Sequence, residues 1–324
     1  MFHNVGQPNA TAAPRILLLQ GPVGPFFCDL QDALFAQGFR PKRVVFNDGD
    51  RLFSSHDGTV SFAGSLDDWA DWLSAELRQH WPEFIVLFGA MRPIHYIAKQ
   101  VAAIYGVRVI CLEEGYLRAG FVTCEIGGNN DSSPLCDWTP QQHCSDHIAT
   151  PVTTRFSYYR MCLWGTVYYL ARELKPTVAE KSLFHREHEG FVRLALSWAK
   201  HAASRTAARV GSLATLRRIR KPLSQKFLLV PLQVPSDSQL KFAARGWSNE
   251  RLVNETLQAL AQAQTAESIV FKVHPLDRQA RKIRRLIRNR ARDLGLSARV
   301  HILNSGTMSE VVGHATGMIV INST

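Results

Sequence analysis

Two short runs late in this chain carry side chains suited to gripping a phosphate. Lys272 and His274 stand in Phe-Lys-Val-His-Pro (271–275), and Asn322, Ser323 and Thr324 close Ile-Val-Ile-Asn-Ser-Thr (319–324). In both, an apolar β-branched run gives way to small polar or cationic groups. That is the pattern of the carboxyl edge of a parallel sheet, outside which open α/β sheets bind ligands. The lysine offers a compact charge, the hydroxyls offer hydrogen bonds, and the imidazole could donate to a departing phosphate. A lone His-Pro is weak; both runs within one unit are more specific.

Three further segments follow expected strands. Pro231 to Gln239 crowds Gln233, Asp237 and Gln239 into a loop stiffened by two prolines. Asp237 could stabilise an oxocarbenium ion, act as nucleophile or orient a hydroxyl; a helix-cap role would explain Asp237 and Ser238, but not the glutamines. Glu113 and Glu114 are adjacent carboxylates after an apolar run, where one could be a general base. A salt bridge to Arg118, or an N-cap, explains them equally well. Gly21 and Gly24 lie in Gly-Pro-Val-Gly-Pro ahead of a helix, as a backbone anion site or as a plain turn. Cys136, His143, Cys144 and His147 match no common zinc spacing. Asp48-Gly49-Asp50 reads as a turn, so no metal is expected and no cofactor is implied.

The elements that must position these groups are legible in the periodicity. Apolar runs at 15–20, 43–46, 84–88 and 107–112 read as strands. Helical spacing at 26–37, 66–80 and 93–105 falls between them, which implies a parallel sheet covered by helices. The alternation resumes with strands at 227–231, 269–273 and 300–303, helices at 249–264 and over the arginine-rich run, and a terminal strand at 319–321. The expected organisation is a polar lead-in at 1–14 without a secretion signal, a Rossmann-like acceptor-side domain at 15–138, an aromatic and basic helical connecting segment at 139–222, and a Rossmann-like nucleotide-sugar domain at 223–324. In the connecting segment, aromatics at helical spacing (Trp164, Tyr168, Tyr169) read first as packing.

Six cysteines without Cys-x-x-Cys spacing suggest reduced thiols in a cytoplasmic protein. No apolar run reaches the roughly 20 residues of a membrane span. The net charge of +11 is concentrated: from 190 to 236 there is no acidic residue and nine are basic. Density of that kind attracts polyanions, and the apolar residues interleaved with it suit a helix lying on an anionic membrane. Nucleic acid is not expected, since no recognition motif accompanies the charge. The second basic run, Arg278 to Arg292, reads equally as a solvated helix face.

Taken in order, several motifs resemble the capsular-polysaccharide biosynthesis family of β-Kdo transferases, the KpsS/LipB type. They are Gly-Pro-Val-Gly-Pro (21–25), Phe-Asn-Asp-Gly-Asp (46–50), Glu-Glu-Gly-Tyr-Leu-Arg (113–118), Gln-Val-Pro-Ser-Asp-Ser-Gln (233–239), Lys-Val-His-Pro (272–275) and Asn-Ser-Thr (322–324). The resemblance implies a GT-B-like, metal-independent glycosyltransferase that uses CMP-Kdo as donor and a lysophosphatidylglycerol-type lipid as acceptor. It also implies a peripheral location on the cytoplasmic face of the inner membrane, alongside other capsule biosynthesis and export proteins. Carried over, Lys272, His274, Ser323 and Thr324 would hold the CMP phosphate, and Gln233, Asp237 and Gln239 would line the sugar site. Gly21, Gly24, Glu113, Glu114 and Arg118 would face the acceptor. A CMP-β-Kdo donor and a β-linked product imply retention, by double displacement through a carboxylate or by a front-face route, with Asp237 and Glu114 as candidates. Ala119-Gly120 stands where the family usually has Pro-Asp, and the family continues beyond Asn-Ser-Thr, so the nucleotide-sugar domain is expected to be truncated. Another nucleotide sugar, or a non-catalytic capsule assembly or export role, are the alternatives.

Overall fold

Leu17, Leu18 and Leu19 are almost wholly withdrawn from water, as a strand sandwiched between two helical layers must be. The computed structural model describes residues 13–54, 58–114, 121–137, 157–174, 190–235, 237, 239–274, 277 and 279–322. Its contacts divide the chain into two units, Met1–Phe191 and Val192–Thr324. Each is α/β with a Rossmann-like parallel sheet.

In the first unit the strands are β1 (Arg15–Leu18), β2 (Arg40–Val45), β3 (Thr59–Ser61), β4 (Phe84–Phe88), β5 (Arg108–Glu114) and β6 (Val122–Ile126), in sheet order β3-β2-β1-β4-β5-β6. The first five are parallel, and β6 pairs antiparallel with β5. The helices are α1 (Phe26–Ala36), α2 (Asp48–Leu52), α3 (Trp69–His80), α4 (Pro93–Ile104) and α5 (Ser157–Leu174). Alternate strand residues serve opposite faces. Leu17, Val44, Ile85 and Leu87 pack with Trp69, Leu73 and Ile94 of α3 and α4. Ile16, Leu18, Val86 and Leu112 pack with Phe27 of α1. Trp69 lies 5.4 Å from Trp72 in a stacked pair, and its indole N–H donates to the Ile94 carbonyl at 2.8 Å. The ring's one polar atom is therefore satisfied in the core.

In the second unit α6 (Phe191–Arg220) precedes β7 (Phe227–Pro231), β8 (Ser268–Lys272), β9 (Val300–Leu303) and β10 (Gly317–Met318), which form an all-parallel sheet in the order β10-β7-β8-β9. Helices α7 (Asn249–Gln262), α8 (Ala280–Asp293) and α9 (Met308–Val312) complete it, with a π-helical turn at Gln239–Ala243. Ile283, Ile287 and Ala291 form the one buried stripe of α8, so its arginines decorate a helix that packs by its aliphatic residues. That is the solvated-face reading of the second basic run.

Several expectations need correction. The helical segment at 139–222 does not stand apart among the described residues: α5 packs on α2 in the first unit, and Ile219 of α6 joins the second unit's core with Phe227 and Leu229. Asp48-Gly49-Asp50 is a short helix rather than a turn, capped by Asn47, whose Oδ1 accepts the Asp50 N–H at 2.9 Å. The terminal strand is Gly317–Met318, displaced toward the N-terminus from 319–321, although the Ile319 N–H still donates to Leu229. Strands β3 and β6 were not anticipated. Residues 1–12, which hold most of the polar lead-in, lie outside the described residues, as do His143, Cys144 and His147. The five described cysteines are free thiols.

A Cβ placed on Gly21 would sit 2.4 Å from Cγ of Phe27, a ring wholly buried between β1 and α1. Gly21→Ala is therefore expected to destabilise the protein by about 1–3 kcal/mol, read as a lower midpoint in urea denaturation with an unchanged slope.

Candidate functional site

Both sheets reverse their strand order beside their first strand, between β1 and β4 and between β7 and β10. Helices leave such a point toward opposite faces and open a crevice at the carboxyl ends.

In the second unit the crevice brings together two motifs read separately in the sequence. Gln233 follows β7, and its side-chain amide donates to Asn322 Oδ1 at 3.0 Å, beyond β10. Asn249, at the start of α7, anchors the same residue twice: its Oδ1 accepts the Gln233 N–H at 3.1 Å and its amide donates to the Gln233 carbonyl at 2.7 Å. Lys272 ends the neighbouring strand β8 and is only 6 % exposed. Burial lowers its pKa. Among the described residues its ammonium has no carboxylate partner. A buried cation without a counter-ion is costly, and an anion arriving in the crevice would offset that cost. His274 is half-buried two residues on, and its carbonyl accepts the Asp277 N–H at 3.1 Å. Asp237 is half-buried; its N–H donates to the Val234 carbonyl and its own carbonyl accepts from Lys241. A cavity of about 250 Å³, lined by Pro235, Lys241, Trp247 and Asn249 among others, opens beside this loop. Gln239 begins the π-helical turn. Ser323, Thr324 and Pro275 lie outside the described residues.

The first unit's crevice holds residues the sequence reading had passed over. Arg92 precedes α4, and its Nη1 donates to the Gly21 carbonyl at 3.3 Å. Gly89 follows β4 with φ +82, a left-handed conformation; a Cβ there would meet Arg92 Nε at 3.1 Å and Glu113 Oε2 at 3.6 Å. Glu113 is thus brought to the mouth of the crevice beside Arg92, whereas Glu114 is exposed at the end of β5. His95 lies wholly buried beneath Gly89. Its Nδ1–H donates to the Gly89 carbonyl at 2.8 Å, and burial first, then the charge of Arg92, pulls its pKa down to about 3. It is a neutral ring that shapes the turn. Gly24 has φ +115, so its turn needs glycine whether or not a ligand binds. Arg118 lies outside the described residues.

Beside this crevice a buried polar cluster fixes α5. Asp50 Oδ2 accepts from the Phe46 N–H at 3.2 Å, from Asn47 at 3.2 Å and from Gln20 at 3.4 Å, while the Tyr168 hydroxyl of α5 donates to Oδ1 at 3.1 Å. A Cβ on Gly49 would meet the Tyr168 ring at 2.8 Å, which shows how closely α2 and α5 approach. Trp164 packs edge-on to Phe53 at 5.5 Å. Trp164 and Tyr168 of α5 are therefore packing groups, as their spacing suggested. The signal that could have revealed the cluster was Asn47 placed three residues before Asp50, a capping arrangement that buries both.

A profile of the capsule polysaccharide biosynthesis protein family matches residues 83–324. The chain belongs to that family. It is 32% identical over 317 residues, 96% of this chain and 80% of the other, to the capsule polysaccharide export protein KpsS of Escherichia coli. It is 30% identical over 326 residues, 97% of this chain and 77% of the other, to the capsule polysaccharide modification protein LipB of Neisseria meningitidis serogroup B. Both capsule relatives run through the two crevices. Among solved structures, a glycosyltransferase from Rickettsia africae aligns over 94% of this chain and 71% of its own, at 7% identity and a TM-score of 0.33. No helix among the described residues is long and apolar enough to cross a membrane.

Burial, opposed by Arg43 and the hydrogen bonds, leaves the Asp50 carboxyl above its ordinary value of 3.8. A carboxyl whose pKa is raised on folding favours the fold at low pH, and that contribution is lost as pH rises from 3.8 through the raised value. In urea titrations at pH 4 and pH 7, stability relative to Asp50→Asn should therefore shift in the variant's favour at the higher pH. An unchanged difference would mean that Asp50 does not titrate upward in the fold.

Proposed function

We propose that the protein is a retaining β-Kdo glycosyltransferase, which moves Kdo from CMP-Kdo to a lysophosphatidylglycerol-type lipid and so starts the linker of a capsular polysaccharide. The observation that carries this reading is the crevice between β7 and β10, where the Gln233–Asn322 bond joins two motifs near the buried Lys272, which has no carboxylate partner among the described residues. Membership in a capsule family supplies the biological setting.

In this reading Lys272, with Ser323 and Thr324, binds the CMP phosphate, and His274 donates to the phosphate as the bond to Kdo breaks. Stabilising charge on a leaving group lowers the barrier because that charge is largest in the transition state. Gln233 and Gln239 orient the sugar. Asp237 or Glu114 supplies the carboxylate that either displaces CMP from the anomeric carbon or shields the oxocarbenium ion; the acceptor hydroxyl, giving its proton to the carboxylate or the CMP phosphate, then bonds to that carbon on the face CMP left. Gly21, Gly24, Glu113 and Arg118 serve the acceptor. No metal or cofactor enters the scheme: a lysine and an imidazole meet the phosphate charge. The protein works as a peripheral enzyme on the cytoplasmic face of the inner membrane with other capsule biosynthesis and export proteins, and not on nucleic acid. The word export in the name of the Escherichia coli relative favours one second reading, a non-catalytic assembly factor.

Incubation with CMP-Kdo and a fluorescent lysophosphatidylglycerol should yield a product heavier by one Kdo. Absence of product with intact donor would remove the transferase reading and leave the assembly factor. His274→Ala and Asp237→Ala should each lower kcat by about 10²–10³-fold, and full activity in both would refute the site assignment alone.

A further inference from the structure

Helix α6 is 30 residues long, about 45 Å at the usual rise, and is apolar on two opposite faces. One face belongs to the second unit's interior: Ser212 and Ile219 are buried there. Ile219 packs in the core with Phe227, and the Ser212 hydroxyl accepts the Asn304 N–H at 3.0 Å. The other face runs through Val192, Leu196, Ala199, Ala203, Val210 and Leu213, at steps of three, four or seven residues, which keep to one side of a helix. All six are exposed. Among the larger ones Val192 is 72%, Leu196 57%, Val210 68% and Leu213 52% exposed. An apolar stripe of that length is not left to water without a partner.

Charge selects the partner. The helix contains no acidic residue. Arg193, Lys200 and Arg218 are exposed and lie about a quarter-turn from the stripe on one flank. Arg220 pairs with Glu310 at 2.6 Å. A second copy of this helix laid against the stripe would bring like charges together, which destabilises a helix pair. An anionic bilayer surface accepts both features at once: the stripe enters the headgroup–acyl boundary and the flanking bases meet lipid phosphates.

We infer that the outward face of α6, centred on Leu196 and Leu213, is a docking surface for an anionic lipid bilayer. The sequence suggested a helix lying on an anionic membrane; the structure adds which face of it must insert. This holds whether or not the protein transfers Kdo.

The test is co-sedimentation with vesicles of phosphatidylcholine containing phosphatidylglycerol, against vesicles of phosphatidylcholine alone. The intact protein should bind the anionic vesicles at least tenfold more tightly than the neutral ones. Leu196→Asp with Leu213→Asp should weaken binding to anionic vesicles at least tenfold while every basic residue remains. Arg193→Gln with Lys200→Gln should weaken it about 25-fold, at roughly fivefold for each charge near the surface. If the aspartates disturb the fold, Leu196→Ser with Leu213→Ser carries the same comparison, with circular dichroism as the folding control. Unchanged vesicle binding in the folded leucine variants overturns the proposal and leaves charge alone. A concentration-dependent dimer that these variants dissociate, without loss of vesicle binding, overturns it in favour of a second copy.

Discussion

A strand that comes first in its sequence but sits centrally in its parallel sheet imposes one constraint from which most of this structure follows. Later strands must be added on both sides of it, and right-handed crossovers then send the helices on its two sides to opposite faces. A crevice is left where the order reverses, at the carboxyl end of that strand. The chain meets this constraint twice, at β1/β4 and at β7/β10. Gln233, after β7, and Lys272, at the end of the neighbouring β8, are placed by it. Gln233 reaches Asn322, 89 positions away in sequence, only because β10 returns to the edge beside β7.

The two crevices are furnished differently. In the second unit the carboxyl edge carries a buried lysine that has no carboxylate partner among the described residues. In the first unit the cations are already engaged. Arg92 donates to the Gly21 carbonyl, and Asp50 is surrounded by hydrogen bonds and the charge of Arg43. Both carboxylate oxygens of Asp50 accept hydrogen bonds, and that ties α2 and α5 into one platform. It also explains why α5, which carries Tyr168, belongs to the first unit: its phenol is one of the groups that satisfy Asp50.

The strands with continuous apolar runs were legible in the sequence because burial on both faces demands such runs, and β1, β4, β5, β7, β8 and β9 stand where those runs fall. Strand β3 was not legible because three residues carry no periodicity. Strand β6 was not, because its pattern is inverted: Val122 and Ile126 are exposed, while Glu125 is buried and accepts a hydrogen bond from Ser133. The polar residues of the β7/β10 crevice were legible as separate motifs at strand ends, but their convergence depends on strand order, which no local pattern encodes. Arg92, in the turn after β4, and His95, in the first turn of α4, were missed because one stabilises a loop from another strand and the other is buried neutral. The connecting segment was misjudged for a related reason. Its helices are amphipathic toward different units, and composition does not say which unit each one joins.

The central claim is that the β7/β10 crevice completes its charge balance with a nucleotide phosphate held by Lys272. Calorimetric titration of CMP into the protein and into Lys272→Met tests it most directly. The methionine keeps the volume and removes a desolvated charge, so the fold should be retained. A charged hydrogen bond of about 1.5–3 kcal/mol corresponds to roughly 10–100-fold in affinity. The account predicts measurable CMP binding that weakens by that factor in the variant. Equal affinity in the two proteins, or no binding of CMP to either, would contradict it.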